Sequence, residues 1–168
     1  MTTTQTEPRP TRWIAQVEDA SVGFAVKSFW GLATVQGHFD RFDGSFELGP
    51  EGPEIELTID ADSIDTGNET RDEHLRSSAF FGVEEHPQVY FTSTRVEDGG
   101  DGVLHVEGRL EAAGNVVPLE FDATVQPVDD GLELEATTTV DQRRLGMSSG
   151  PLKMIRPPAT VRVTARLT

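Results

Sequence analysis

The 168-residue chain contains no cysteine, which excludes disulfides, thiolate metal sites and cysteine nucleophiles. Basic residues are also scarce. Fourteen Lys and Arg stand against 29 Asp and Glu, for a formal net charge of −15. A field of that sign repels nucleic acid and anionic membrane surfaces, so neither is expected as a partner. No apolar run approaches the roughly 20 residues that cross a bilayer as a helix, so stable membrane insertion is not expected. The opening "MTTTQTEPRPTR" has neither a basic n-region nor an apolar h-region of a secretory signal. It reads as a flexible arm over residues 1–11 ahead of one domain over 12–168, and a cytoplasmic location is the expectation. All acids but Asp141 lie within residues 1–140, whereas six of the Lys and Arg follow residue 140. That asymmetry predicts cross-strand ion pairs between a basic last strand and its acidic neighbours, or a small basic patch.

What the chain does have is period-two alternation. In "EIELTID", Ile55, Leu57 and Ile59 share one face. "VLHVEGRL" places Leu104, Val106 and Leu110 opposite His105, Glu107 and Arg109, and "VPLEFDATV" aligns Val117, Leu119, Phe121, Ala123 and Val125. "LELEATTTV" and "ATVRVTARLT" continue the pattern, and "SVGFAVKSF" and "ATVQGHFDRFDGSFEL" supply less regular strand material. Gly-rich turns at 49–53, 98–102, 112–115 and 128–131 are too short for parallel crossovers, so neighbouring strands are antiparallel. About eight strands with one apolar face each must cover that face, and closure into a barrel does so. A two-sheet sandwich is the alternative.

One segment breaks the pattern. "ETRDEHLRSSAFFG" reads as a single short helix over about 69–79, with Thr70-x-x-Glu73 as a capping box and Gly82 as a stop. Leu75 and Ala79 are placed on one helical face. A short helix between long strands lies most naturally across a barrel end, with one of Phe80 and Phe81 plugging the core and the other lining an entrance.

"TRDEHLRSSAFFGVEEHPQVYFTS" resembles the most diagnostic segment of the YceI-like family, with its Arg-Asp, His-Leu, Phe-Phe and His-Pro elements. "WIAQVEDASVGFAVKSF", "VQGHFDRFDGSFEL", "IELTIDADSIDTGNETRDEHL" and "HVEGRLEAAGNVVPLEF" resemble further family segments, in the family's order, over about residues 13 to 168. The C-terminal third departs: "QRRLGMSSGPLKMIRPPATV" keeps Arg143 or Arg144 and Gly146, where the family reads Arg-x-Asp-Phe-Gly. The resemblance implies an all-β, eight-stranded antiparallel, lipocalin-like β-barrel with a long apolar cavity. It also implies binding of a polyisoprenoid, an isoprenoid quinone, a polyprenyl diphosphate or a fatty-acid derivative, and members that are often homodimers.

With that implied cavity, Phe24, Val26, Phe39 and Phe46 are the expected ligand contacts on the early strands, with Leu57 and Ile59 after them. Leu75, Phe80 and Phe81 are expected to contribute from the helical segment, and Phe91, Leu104, Val106 and Phe121 from later strands. Arg71, Asp72, Arg144 and Lys153 are the candidates for a polar head group or an anchor of the helix. No cofactor and no catalytic residue is expected. The histidines His38, His74, His86 and His105 lack H-x₃-H or HExxH spacing. His74 and His86, with Glu73, are the weak metal candidate, and no metal site is assigned. His105 reads as a solvated strand residue. A small-molecule lipid is the expected partner, carried or stored, while a homodimer stays open. The alternatives are a lipid-acting barrel enzyme, which requires titratable groups inside the cavity, and an interaction barrel without ligand. A diphosphate head requires Arg143, Arg144, Lys153 or Arg156 to cluster at one mouth, so a neutral head such as a quinone ring is favoured.

Overall fold

The computed structural model describes residues 12–14, 20–28, 33–49, 52–129, 131–147 and 155–167. The arm expected over residues 1–11 and the side chain of Lys153 lie outside them. The described strands are β1 (Arg12–Ile14), β2 (Ser21–Ser28), β3 (Ala33–Phe39), β4 (Phe42–Gly49), β5 (Gly52–Asp60) and β6 (Ile64–Asp65). After the helix α1 (Glu69–Arg76) come β7 (Gln88–Gly100), β8 (Val103–Ala112), β9 (Asn115–Val128), β10 (Gly131–Val140) and β11 (Ile155–Leu167). They form one strongly curled sheet in the order β1-β4-β5-β7-β8-β9-β10-β11-β2-β3-β6, antiparallel at every ladder.

This is the expected all-β, lipocalin-like architecture with one helix, but the expectation of eight strands falls short. Among the described residues nine strands are long and two, β1 and β6, are short. The extra division comes at Asp40-Arg41. There "ATVQGHFDRFDGSFEL" breaks into β3 and β4, and no described ladder joins the two strands to each other. The backbone groups of that corner bond elsewhere. Asp40 N–H donates to Ser63 O at 3.2 Å, Arg41 N–H to Ser63 Oγ at 3.0 Å, and Asp60 N–H to Arg41 O at 2.9 Å. Ser63 is buried and ends a 3₁₀ turn over Ala61–Ser63, whose cap is the side chain of Asp60. A buried backbone group must find a partner, and at the seam between β3 and β4 this turn supplies it.

Register keeps the alternation in phase across the sheet. Leu57 opposes Phe91, Phe91 opposes Leu110, and Leu110 opposes Val117. A second row runs Leu104, Ala123, Ala136, Val163, Val22, Phe39 and Ile64. Because the side-chain period is two, a one-residue slip in any ladder would turn this whole inner face outward. Two inward glycines have a steric reason. A Cβ on Gly108 would stand 2.6 Å from the Phe91 ring, and one on Gly37 would stand 2.5 Å from the Phe24 ring. The β8–β9 hairpin closes on Ala113 and Gly114, both at positive φ (52° and 79°), the backbone twist that two-residue hairpins favour.

The outer face is polar. Arg162 pairs with Glu135 at 2.8 Å, which is the cross-strand pairing expected of the basic last strand. His105 is exposed and hydrogen-bonded to Asp122, and that bond raises its pKa above the ordinary histidine value.

The helix starts at Glu69, as expected, but its cap lies two residues ahead of the expected Thr70. Asn68 is the N-cap, its side chain accepting the Arg71 N–H at 3.0 Å, so Thr70 lies inside the first turn. The helix also ends sooner, at Arg76 with Ser77 as C-cap, which leaves Ala79 outside it. Asn and Thr are both good caps. Asn68→Ala is expected to destabilise the fold by about 1 kcal/mol, read as a lower urea midpoint at unchanged slope. His105 is expected to titrate above the reference of about 6.5 and Asp122→Asn to return it there, measured by NMR. The raised folded-state pKa means that the pair stabilises the fold below the unfolded value and that this contribution fades as pH rises through the folded one.

Candidate functional site

The inner face encloses a cavity of about 610 Å³, within the roughly 300–1,000 Å³ of pockets that hold small molecules. Its wall is mostly apolar and is drawn from strands β2 to β11. Thirteen positions were expected to face it. Phe24, Val26, Phe39, Phe46, Leu57, Ile59, Phe91 and Phe121 line it from the strands, and Leu75, Phe80 and Phe81 from the helical segment.

Leu104 and Val106 do not line the cavity. Val106 is fully buried in a cluster with Phe91, Ala123 and Phe121, whose rings cover it: Phe91 and Phe121 meet at 5.5 Å, tilted by 50°. Leu104 packs partly buried against Phe46, Leu134 and Ala165. Alternation correctly turns both side chains inward, but Val106 packs beneath the rings of the adjacent strands β7 and β9, and Leu104 packs across the interior against β4, β10 and β11.

The wall also includes positions that were not singled out as ligand contacts. Ala20, Val22, Ala136, Thr138, Ala159, Val161, Val163 and Ala165 line it from β2, β10 and β11 and from Ala20 just before β2. Their signal was available in side-chain size. On β10 and β11 the wall is mostly Ala, Val and Thr, whereas the other elements carry most of its Phe and Leu, and small residues leave space that large ones fill.

Helix α1 and the turns after it sit at one end of the cavity. Leu75 is buried, while Asn68, Thr70, Arg71 and His74 also line the wall. Asn68 and Thr70 are exposed as well as lining, so the cavity reaches solvent beside the first helical turn. The Phe pair divides its contacts. Phe80 is buried with its ring against His74 at 5.2 Å, and half-buried Phe81 stands edge-on to Phe39 at 5.8 Å and 88°. The backbone behind them turns tightly, with Phe81 N–H on Leu75 O and Gly82 N–H on Ser77 O, and Gly82 at φ 58°.

Arg71 and Asp72 converge on one residue, Thr66, in the loop between β6 and the helix. Asp72 is buried, and its Oδ1 accepts the Thr66 N–H at 2.9 Å and the Thr66 hydroxyl at 2.5 Å. Arg71 donates from Nε to Thr66 Oγ1 at 2.8 Å and from Nη2 to Thr66 O at 2.7 Å. Both side chains therefore tie the helix to the strand end, and Arg71 lines the cavity while doing so. Arg144 is elsewhere. It is exposed on the 3₁₀ turn Gln142–Leu145, where Leu145 takes the inward position and Gln142 joins the cavity wall. Lys153 lies outside the described residues.

Among the described lining residues the titratable groups are Glu56, Arg71 and His74. The grouping of three metal-ligand side chains found among the described residues is His38, Asp40 and Asp65, on the surface, with His38 Nε2 3.0 Å from Asp40 and 3.9 Å from Asp65. The weak candidate set of His74, His86 and Glu73 forms no such group: His74 packs on Phe80, and His86 lies against Gly114.

The YceI-like domain family matches residues 13–168. A UPF0312 protein of Pectobacterium atrosepticum is 32% identical over 145 residues, covering 80% of this chain and 74% of the relative. The YceI protein of Salmonella arizonae is 35% identical over 116 residues, 67% of this chain and 60% of its own. Among solved structures, BcnA of Burkholderia cenocepacia superposes with a TM-score of 0.83 at 16% identity, covering 92% of this chain and 99% of its own. A polyisoprenoid-binding domain from Saccharophagus degradans superposes with a TM-score of 0.74, also at 16% identity, over 93% and 97%. The extent of the family match, the curated relatives above 30% identity and the shared curled barrel agree, and the chain belongs to the YceI-like family.

Proposed function

We propose that this protein binds the hydrocarbon tail of a long-chain amphiphile — a polyisoprenoid, an isoprenoid quinone or a fatty-acid derivative — and carries or stores it. The observation that supports this most directly is the apolar cavity of about 610 Å³, continuous along the inner face and reaching solvent beside α1. The likeness to a structure described as a polyisoprenoid-binding domain points the same way.

The driving force in this reading is area. Burial is worth on the order of 0.8 kcal/mol per CH₂, so one five-carbon isoprene unit contributes roughly 3 to 4 kcal/mol gross, before the entropy of ordering the chain is subtracted. A wall of Val, Ala, Leu and Phe supplies that without any reactive group, and the reading is one of binding, not catalysis. The tail lies against the small side chains of β10, β11 and β2. The head sits at the solvent end, within reach of Arg71.

Ala136 lies mid-strand on β10 with its side chain in the wall. Ala136→Phe is expected to fill the cavity beside it and to weaken binding of a geranylgeranyl or palmitoyl probe by on the order of tenfold or more. Its melting temperature should stay at or above that of the wild type. Unchanged affinity in a folded variant would place the ligand somewhere other than this cavity. Organic extraction of the purified protein followed by mass spectrometry is expected to release a prenyl or alkyl species.

A further inference from the structure

We infer that Asp72 sets the charge class of head group this cavity accepts: the mouth offers hydrogen-bond donors without net positive charge, and so selects a neutral, carbonyl-bearing head over a diphosphate. The inference rests on the tail-binding reading above and concerns the other end of the same ligand.

Arg71 is the only Lys or Arg among the described lining residues, and taken alone it would mark an anion site. Its surroundings change that. Its Nε donates to the Thr66 hydroxyl, and that hydroxyl gives its own proton to Asp72 Oδ1, so the cation and the carboxylate are joined through one oxygen. Asp72 is 6% exposed and accepts a second hydrogen bond on the same oxygen from Thr66 N–H, as an acceptor-only carboxylate does. A carboxylate that deep is less screened by solvent and salt than one on the surface, so its field reaches the neighbouring guanidinium. No carboxylate lies within 4.0 Å of Arg71 among the described residues, which leaves Asp72 as its compensating charge through Thr66. The other charged lining group is Glu56, also acidic.

Two of the three guanidinium nitrogens are occupied by Thr66, and Nη1 has no hydrogen-bond partner among the described residues. What the site has to give is therefore N–H donation. A ketone, quinone, amide or ester oxygen accepts such a bond and brings no charge. A diphosphate brings several negative charges to a half-buried place already balanced by Asp72, where the excess finds no second cation among the described lining residues and loses water.

The test is a competition measured by displacement of a fluorescent alkyl probe. Geranylgeranyl acetate and geranylgeranyl diphosphate carry the same tail and differ in head. The wild type is expected to bind the acetate on the order of tenfold tighter. Asp72→Asn, which keeps the acceptor for Thr66 and removes the charge, is expected to improve diphosphate binding by on the order of tenfold while leaving the acetate within about threefold. Asp72→Ser serves if that variant does not fold. Equal or tighter binding of the diphosphate by the wild type overturns the inference. So does an uncharged residue at position 72 that leaves the head-group preference where it was. Failure of the alkyl probe itself to bind would instead refute the tail-binding reading, and this inference with it.

Discussion

A sheet with one apolar face and no second layer to lay against it has to turn that face on itself. The one α-helix of the described chain has eight residues, enough to cover one end of the curl and far too little to cover nine long strands. Antiparallel ladders, a constant period of two and a strong curl then bring the inner faces of distant strands opposite one another. From there side-chain size decides between solid and hollow. Where Phe91 and Phe121 pack over Val106 and Phe91 presses on Gly108, the wall is solid. Where β10, β11 and β2 present Ala, Thr and Val, it is not, and a continuous cavity follows.

The same curl concentrates polar structure at one end. The corner between β3 and β4 cannot satisfy its own backbone, so Ser63 and the 3₁₀ turn do it. The loop that leaves this turn passes through Thr66, and Thr66 receives both Arg71 and Asp72. A few residues that seal the barrel thus also fix the side chains at its mouth. The segment that interrupts the strand pattern serves two ends: its apolar side, Leu75, Phe80 and Phe81, closes the core, and its polar side frames the opening.

Most strands were readable because alternation needs no knowledge of partners, and the YceI-like resemblance rested on residues that the structure places around the helix and the seam. Thr70 reads as the cap in the sequence, but Asn68 takes that role, its side chain accepting the Arg71 N–H. Leu104 and Val106 face inward as their pattern requires, yet rings from neighbouring strands cover Val106 and the packing of the β4 and β10 side takes in Leu104. Arg144 followed a family position in a stretch that departs from the family, and Leu145 occupies the inward place instead. The covering of Leu104 and Val106 depends on neighbours remote in sequence.

By itself, then, the sequence determined the elements and their faces: strands from a two-residue period, turns from glycine, a short helix from one charged interruption, and an acidic exterior from composition. These are local properties, carried by each residue's own side chain and its near neighbours. The tertiary structure decided which inward side chains border empty space, which are covered, and which charges compensate one another. Those outcomes depend on register and on the distance between strands far apart in the chain, and no local pattern encodes them.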